Sequence, residues 1–279
     1  MSNDAGGLLT LGYLSLPDLG PADVIAAAAA GGFRSVGIRI TGRYLTDDHT
    51  HVVGNPPMIR ELKSRIAGTG IRLSNVSAFY MREDVTIAHL MPVIETTAVL
   101  GCDLIVANRH DPDESRYMDN LARYCEAAAG FGIRLAVEFM PYSEIKSPAH
   151  ALRIVEAAGQ PNLGILADPL HLKRCGFEPA DVAGIPSKHI SFAQICDAPL
   201  QRPDDIVQEA RSGRMLPGEG ELPLDDFLDA LPAGVEIECE IPCARLAGLP
   251  AAERARQIND VTARFIAGYR SRKANTAAR

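Results

Sequence analysis

Apolar and polar positions along the chain follow two alternating rhythms. Short runs rich in Val, Ile and Leu read as strands: "LLTLGYLSL", "SVGIRI", "IRLSNVSAF", "DLIVAN", "RLAVEFM", "LGILAD", "HISFAQIC" and "VEIECEI". Between most of them lie amphipathic stretches of helical length: "PADVIAAAAAG", "PPMIRELKSRIAGTG", "TIAHLMPVIETTAVLG", "YMDNLARYCEAAAGFG" and "PAHALRIVEAAG". Several of these open with proline near the first turn and close in glycine, the usual asymmetry of helix starts and stops. Eight strand candidates in this order predict an α/β protein with a single (β/α)8 barrel over residues 1–279. The basic end "RSRKANTAAR" is expected to fray from about residue 271. An open doubly wound sheet competes, but no G-x-G-x-x-G follows the first strand. The longest irregular stretch, about 197–222, reads as a functional loop over the barrel mouth.

Composition narrows the partners. The formal net charge is −7 and the pI about 5.5, which argues against a surface that tracks phosphates and so against nucleic acid. No stretch approaches the roughly 20 apolar residues needed to cross a bilayer, and no basic segment followed by an apolar one opens the chain. A cytoplasmic protein without membrane contact is expected. The six cysteines lack C-x-x-C pairs and read as reduced core fillers. Small molecules are the expected partners, and a homo-oligomer is allowed but not required.

In a barrel of this kind the chemistry sits at the C-terminal ends of the strands. Strand five ends with Glu138, strand six with Asp168, strand seven with Gln194 and Asp197, and strand eight with Glu236, Glu238 and Glu240. A carboxylate in an apolar strand is costly to bury unless it is paired or holds a metal. Oxygen ligands on four consecutive strands at one level therefore suggest a shared ion. Period-two alternation puts the three strand-eight glutamates on one face. Glu240, nearest the rim, is the favoured ligand, Glu238 the fallback, and the deeper Glu236 is expected to pair with an Arg or Lys.

Glu at strand five, Asp-x-x-His in "ILADPLH", a His-or-Gln-x-x-Asp segment in "QICD" and a final Glu in "EIECEIP" resemble the sugar phosphate isomerase/epimerase superfamily, the xylose isomerase-like TIM barrels. The resemblance implies that Glu138, Asp168, Gln194 and Glu240 bind one divalent cation and that His171 contacts substrate. Most members have His where Gln194 stands; Gln there looks like the subgroup with "Q-x-C-D-A-P", and a 3-dehydroshikimate dehydratase-like site also tolerates it. An all-oxygen donor set favours Mn²⁺ or Mg²⁺, with Co²⁺ or Zn²⁺ as substitutes.

Such an ion would polarise a substrate carbonyl and favour loss of the adjacent proton. Glu138, Glu240 and His171 are then the candidate acid/base groups, His171 with a pKa near the working range. Arg39 and Arg43 after strand two, Arg109 and His110 after strand four, and Asp197 and Arg202 after strand seven are the candidate substrate contacts. Lys173, Arg174 and Arg214 add to the mouth cations, which would suit a carboxylate or phosphate. The leading expectation is a metal-dependent isomerase or epimerase of a sugar or polyol-derived ketone. The alternative is a dehydratase of the 3-dehydroshikimate or inosose kind, acting on a cyclic hydroxy-ketone. A DNA-repair endonuclease of the same fold would need more metal-binding histidines and a basic surface. A non-catalytic sugar-binding barrel would have lost its metal ligands.

Overall fold

A computed structural model describes residues 9–42 and 52–277. Its strands are β1 (Leu9–Leu11), β2 (Ser35–Ile38), β3 (Arg72–Met81), β4 (Leu104–Arg109), β5 (Arg134–Glu138), β6 (Leu163–Ala167), β7 (Ile190–Ile195) and β8 (Ile237–Cys239). They form a closed parallel barrel in chain order, and β1 pairs with β8 to complete it. The helices are α1 (Pro21–Ala30), α2 (Pro56–Thr69), α3 (Ile87–Val99), α4 (Glu114–Ala129), α5 (Pro148–Ala158), α6 (Pro169–Arg174), α7 (Pro179–Ala183), α8 (Ile206–Ser212), α9 (Leu224–Ala230) and α10 (Ala251–Ala277).

The expected helix signals work as written. The Asn55 and Ser147 side chains accept the Met58 and His150 backbone N–H at the starts of α2 and α5, and prolines fill the first helical positions. The same two helices end at Gly70 and Gly159, whose φ of +67° and +61° favours glycine. Most of the apolar core lies between barrel and helices. A smaller cluster of Ala78, Leu104, Val106, Ala136, Leu166 and Phe192 fills the barrel interior and is the floor on which the site rests.

Four features differ from the sequence expectation. The first strand stops at Leu11, and residues Tyr13–Ser15 form a 3-10 turn, because the chain must pass the Glu238 carboxylate: a Cβ at Gly12 would lie 2.9 Å from Glu238 Cδ. Strand eight is likewise shorter than "VEIECEI". The stretch 197–222 is not wholly irregular, since it contains α8, started by the Asp205 side chain accepting the Val207 and Gln208 N–H. The tail expected to fray from 271 continues α10 as far as Ala277, tied to α9 by Arg272–Asp225 and Lys273–Asp229 ion pairs at 2.7 and 2.6 Å. Among the described residues no helix is long and apolar enough to cross a membrane.

Candidate active site

Alternation along each strand decides which polar groups reach the interior. On β5 and β6 the interior residues Ala136 and Leu166 are followed two positions later by Glu138 and Asp168, and on β7 Phe192 is followed by Gln194. Glu138, Asp168, Gln194 and Glu240 are all buried, from 0 to 7% exposed. Asp168 also caps α6: its Oδ1 accepts the His171 backbone N–H at 2.9 Å, which explains the three-residue spacing and leaves Oδ2 facing the site.

Arg214 dominates the electrostatics. Its guanidinium, 1% exposed, donates from Nη1 to Asp168 Oδ2 at 2.5 Å and pairs through Nη2 with Glu240 Oε2 at 2.8 Å. Nη2 also lies 3.3 Å from His171 Nε2, and Nε is held by the Ala210 carbonyl at 3.1 Å. An arginine N–H pointing at Nε2 makes that nitrogen the acceptor, so the His171 proton sits on Nδ1. His171 Nε2 is also 3.3 Å from the Tyr142 hydroxyl and 3.7 Å from Glu138 Oε1. Burial pushes the His171 pKa down to about 4, with Arg214 adding to the shift and Asp168 opposing it. The ring is therefore neutral at ordinary pH rather than poised near the working range.

The carboxylates respond to the same surroundings. Burial, then the charges of Glu240 and Asp168, hold Glu138 well above the usual carboxylate range. Burial also raises Glu240 against the opposing pull of Arg214. Asp168 is buried too, but Arg214 and His171 outweigh that cost and bring its pKa below the usual value.

The donor set fits a divalent cation. Glu138 Oε2 accepts from Asn108 Nδ2 at 3.3 Å, whereas Glu138 Oε1 and Gln194 Oε1 are buried oxygens with no donor among the described residues. Buried acceptors normally have a partner, and a positive ion is one that would serve an oxygen of this kind. Glu138, Asp168 and Glu240 together outnumber the one guanidinium beside them, which leaves a negative balance of two charges when all are ionised. Ligand atoms of Glu138, Asp168 and His171 lie within 4.8 Å of one another.

The strand-eight glutamates separate by depth. Glu240 joins Arg214 and Asp168 at the mouth. Glu238 is fully buried below, with both oxygens taken by Gln194 and Asn75. Glu236, at the opposite end of the barrel, pairs with Arg72 and also accepts from Thr10 and Ser74, as its depth suggested.

The expected substrate contacts divide. Arg39 and His110 line the β2–β4 side of the mouth: the Arg39 guanidinium lies 5.6 Å over the Tyr80 ring, and His110 stacks on that ring at 4.4 Å. Among the described residues, Arg39 Nη2 and His110 Nε2 are buried without a partner. Arg109 is directed elsewhere: it follows the interior Asn108 by one position, points out of the barrel, and is saturated by the Asp111 and Pro112 carbonyls and the Glu114 carboxylate. Asp197 holds the rim loop, accepting the backbone N–H of Ala198, Gly218, Gly220 and Leu222 at 2.9–3.0 Å. Arg202 is exposed and donates to the Arg174 carbonyl at 2.8 Å. Arg174 itself makes a buried bidentate pair with Glu209, both bonds at 2.7 Å, and Lys173 pairs with Glu178. Arg43 lies outside the described residues.

Three participants were not singled out or were undervalued by sequence reasoning. Asn108 and Tyr142 carry no motif, although strand phase alone would have turned Asn108 inward. Arg214 stood among several loop cations, and its pairing depends on long-range folding.

The chain belongs to the xylose isomerase-like TIM barrel family, whose model matches residues 25–264. It is 31% identical over 140 residues to a 3-dehydroshikimate dehydratase of Pseudomonas aeruginosa, covering 50% of this chain and 22% of that protein. It is 27% identical over 154 residues to an inosose isomerase of Halalkalibacterium halodurans, covering 50% of this chain and 52% of the other. The chain thus spans between about a fifth and a half of the length of these curated relatives. Among solved structures, an IolI protein with a bound zinc atom superposes with a TM-score of 0.78 at 18% identity, covering 94% of this chain and 98% of that one.

Proposed function

We propose that the protein is a divalent-metal-dependent enzyme that abstracts a proton next to the carbonyl of a small cyclic hydroxy-ketone, and that it proceeds to loss of water. The pair of donorless buried oxygens, Glu138 Oε1 and Gln194 Oε1, carries the metal-dependent part of this reading. Glu138, Asp168, Gln194 and Glu240 would hold the ion, and Mn²⁺ or Mg²⁺ suits so oxygen-rich a set. The ion supplies Lewis-acid polarisation of the substrate carbonyl.

The chain's own groups supply the rest. A carboxylate, Glu138 or Glu240, takes the proton from the carbon beside the carbonyl. Arg214, whose N–H groups are taken by Ala210, Asp168, Glu240 and His171, holds the two carboxylates and the His171 ring in place around the substrate position. For dehydration, the electron pair of the broken C–H bond forms the C=C bond, and the β-hydroxyl departs as water after taking a proton. Tyr142 is placed to deliver that proton, and the neutral His171, its Nε2 3.3 Å from the hydroxyl, orients it. Arg39 favours a substrate with a carboxylate, because a buried guanidinium with an unused Nη2 can donate one charge-assisted hydrogen bond to an anion.

The similarity to 3-dehydroshikimate dehydratase supports elimination, and that substrate has the required carboxylate. Isomerisation or epimerisation of a sugar or inosose is the second reading, favoured by the match to inosose isomerase. Both share the first proton transfer.

The test strips the protein with chelator, measures metal per chain before and after reloading, and assays 3-dehydroshikimate, inososes and ketohexoses. Mn²⁺ or Mg²⁺ is expected to restore conversion of 3-dehydroshikimate to an aromatic product. Isomerised inosose or ketohexose without water loss would establish the second reading, and full activity in chelated protein would remove the metal from either.

Arg39 gives a separate check. Arg39→Met is expected to raise KM for 3-dehydroshikimate about 10- to 100-fold, the worth of one hydrogen bond to a charged group, with kcat nearly unchanged. A KM within twofold of the parent's would dismiss Arg39 as the anion anchor.

A further inference from the structure

We propose that Glu238 is a positioning residue that decides which end of the Gln194 side chain faces the candidate cation. The inference rests on the metal-dependent reading above and goes beyond it, since Glu238 would touch neither ion nor substrate. A glutamine amide has one oxygen that can bind a metal and one NH₂ group that cannot, and the two ends have nearly the same shape. Half a turn about the last side-chain bond exchanges them. Something below Gln194 must therefore select the orientation if the residue is to serve as a ligand.

Glu238 is placed to do this. It is paired across the β7–β8 ladder with Gln194, and its side chain is fully buried. Its Oε1 accepts from Gln194 Nε2 at 2.9 Å, and its Oε2 accepts from Asn75 Nδ2 at 2.6 Å. The Asn75 oxygen is taken in turn by the Ser77 hydroxyl at 2.5 Å. These bonds all run in one direction, from amide N–H to carboxylate and from hydroxyl to amide oxygen. Against the ionised Glu238 carboxylate, turning Gln194 over would set its oxygen against Oε1, acceptor against acceptor. The existing orientation directs Oε1 away from Glu238, buried and without a donor, as a metal ligand requires.

The backbone is cut away to fit this carboxylate. A Cβ at Gly37 of β2 would lie 2.5 Å from Glu238 Oε2, and one at Gly12 would lie 2.9 Å from its Cδ. Two neighbouring segments thus give up side chains to make room for a glutamate below the site. The arrangement is the glutamine counterpart of a metal-bound histidine whose second nitrogen is held by a carboxylate, where loss of the outer partner typically costs 10- to 100-fold in metal affinity.

Mn²⁺ titration of chelator-stripped protein by calorimetry reads the role directly. Glu238→Met removes both acceptors and is expected to weaken Mn²⁺ binding about 10- to 100-fold. The double variant E238Q/N75D keeps an oxygen toward Gln194 while its new NH₂ donates to the carboxylate at 75. It is expected to bind within about threefold of the parent. Parental affinity in Glu238→Met overturns the proposal, and so does a double variant as weak as Glu238→Met, since charge at 238 rather than amide orientation would then matter. Should Glu238→Met not fold, neutron diffraction from deuterated, Mg²⁺-loaded wild-type crystals decides. Deuterons of Gln194 on the Glu238 side support the role, and deuterons on the cation side overturn it. Wild-type protein that binds no Mn²⁺ would sink the metal reading along with this one, whereas normal wild-type binding with an unaffected Glu238→Met sinks only the role of Glu238.

Discussion

Asp168→Asn is expected to abolish turnover, to weaken Mn²⁺ binding by more than about a hundredfold, and to lower stability by about 3 kcal/mol. The three effects have separate origins in one carboxylate. Oδ1 holds the His171 backbone N–H, and asparagine can keep that bond through its own oxygen, so the start of α6 should survive. Oδ2 takes the Arg214 guanidinium at 2.5 Å in a pair that is 1% and 0% exposed. Asparagine puts an NH₂ group there, donor against donor, and leaves a buried cation with only Glu240 to offset it. Removing one partner of a buried ion pair is costly for that reason. The metal would lose a charged ligand at the same time. Calorimetric Mn²⁺ titration, a urea melt and the 3-dehydroshikimate assay measure the three effects, and metal affinity equal to the parent's would take Asp168 out of the site.

His171→Ala should behave differently: the ion stays, and kcat falls by about 10²–10⁴, the usual worth of one acid/base group. His171 Nε2 already faces Arg214 Nη2 and the Tyr142 hydroxyl, so its loss would release the hydroxyl that handles the proton. Its close grouping with Glu138 and Asp168 supplies the competing outcome. If His171→Ala strips Mn²⁺ as thoroughly as Asp168→Asn does, His171 is a ligand, the donor set gains a nitrogen, and Zn²⁺ becomes the better-suited ion. Metal content and kcat measured on the same samples tell the two apart.

Much of this architecture was legible because a barrel strand has only two faces. Alternation with apolar neighbours turns Glu138, Asp168 and Gln194 inward without knowledge of any contact. Misreadings arose where charge was given more weight than phase. Arg109 drew attention as a cation at a strand end, yet its neighbour Asn108 shares the face of Glu138 and Arg109 does not. Asp197 was misplaced for a related reason, since a carboxylate at the rim can serve backbone N–H groups as readily as a ligand. Nothing local announces the Arg214–Asp168 pair, because 46 residues separate its members and α8 and the rim loop must fold before they meet. The 3-10 turn at Tyr13–Ser15 was hidden for a similar reason: its cause is a glutamate on the far side of the sequence.

The Asp197 knot has a practical consequence for remodelling specificity. A single carboxylate gathers four backbone N–H groups, and a Cβ at Gly220 would lie 2.4 Å from its Oδ1. Combinatorial libraries over the rim should therefore leave Asp197, Gly218 and Gly220 unaltered and place their diversity at positions such as Leu200, Gln201 and Asp204, which are exposed and outside the knot. Grafts from related barrels that bring their own rim should carry the whole segment from 197 to 222 as one cassette, since half of it would arrive without its anchor.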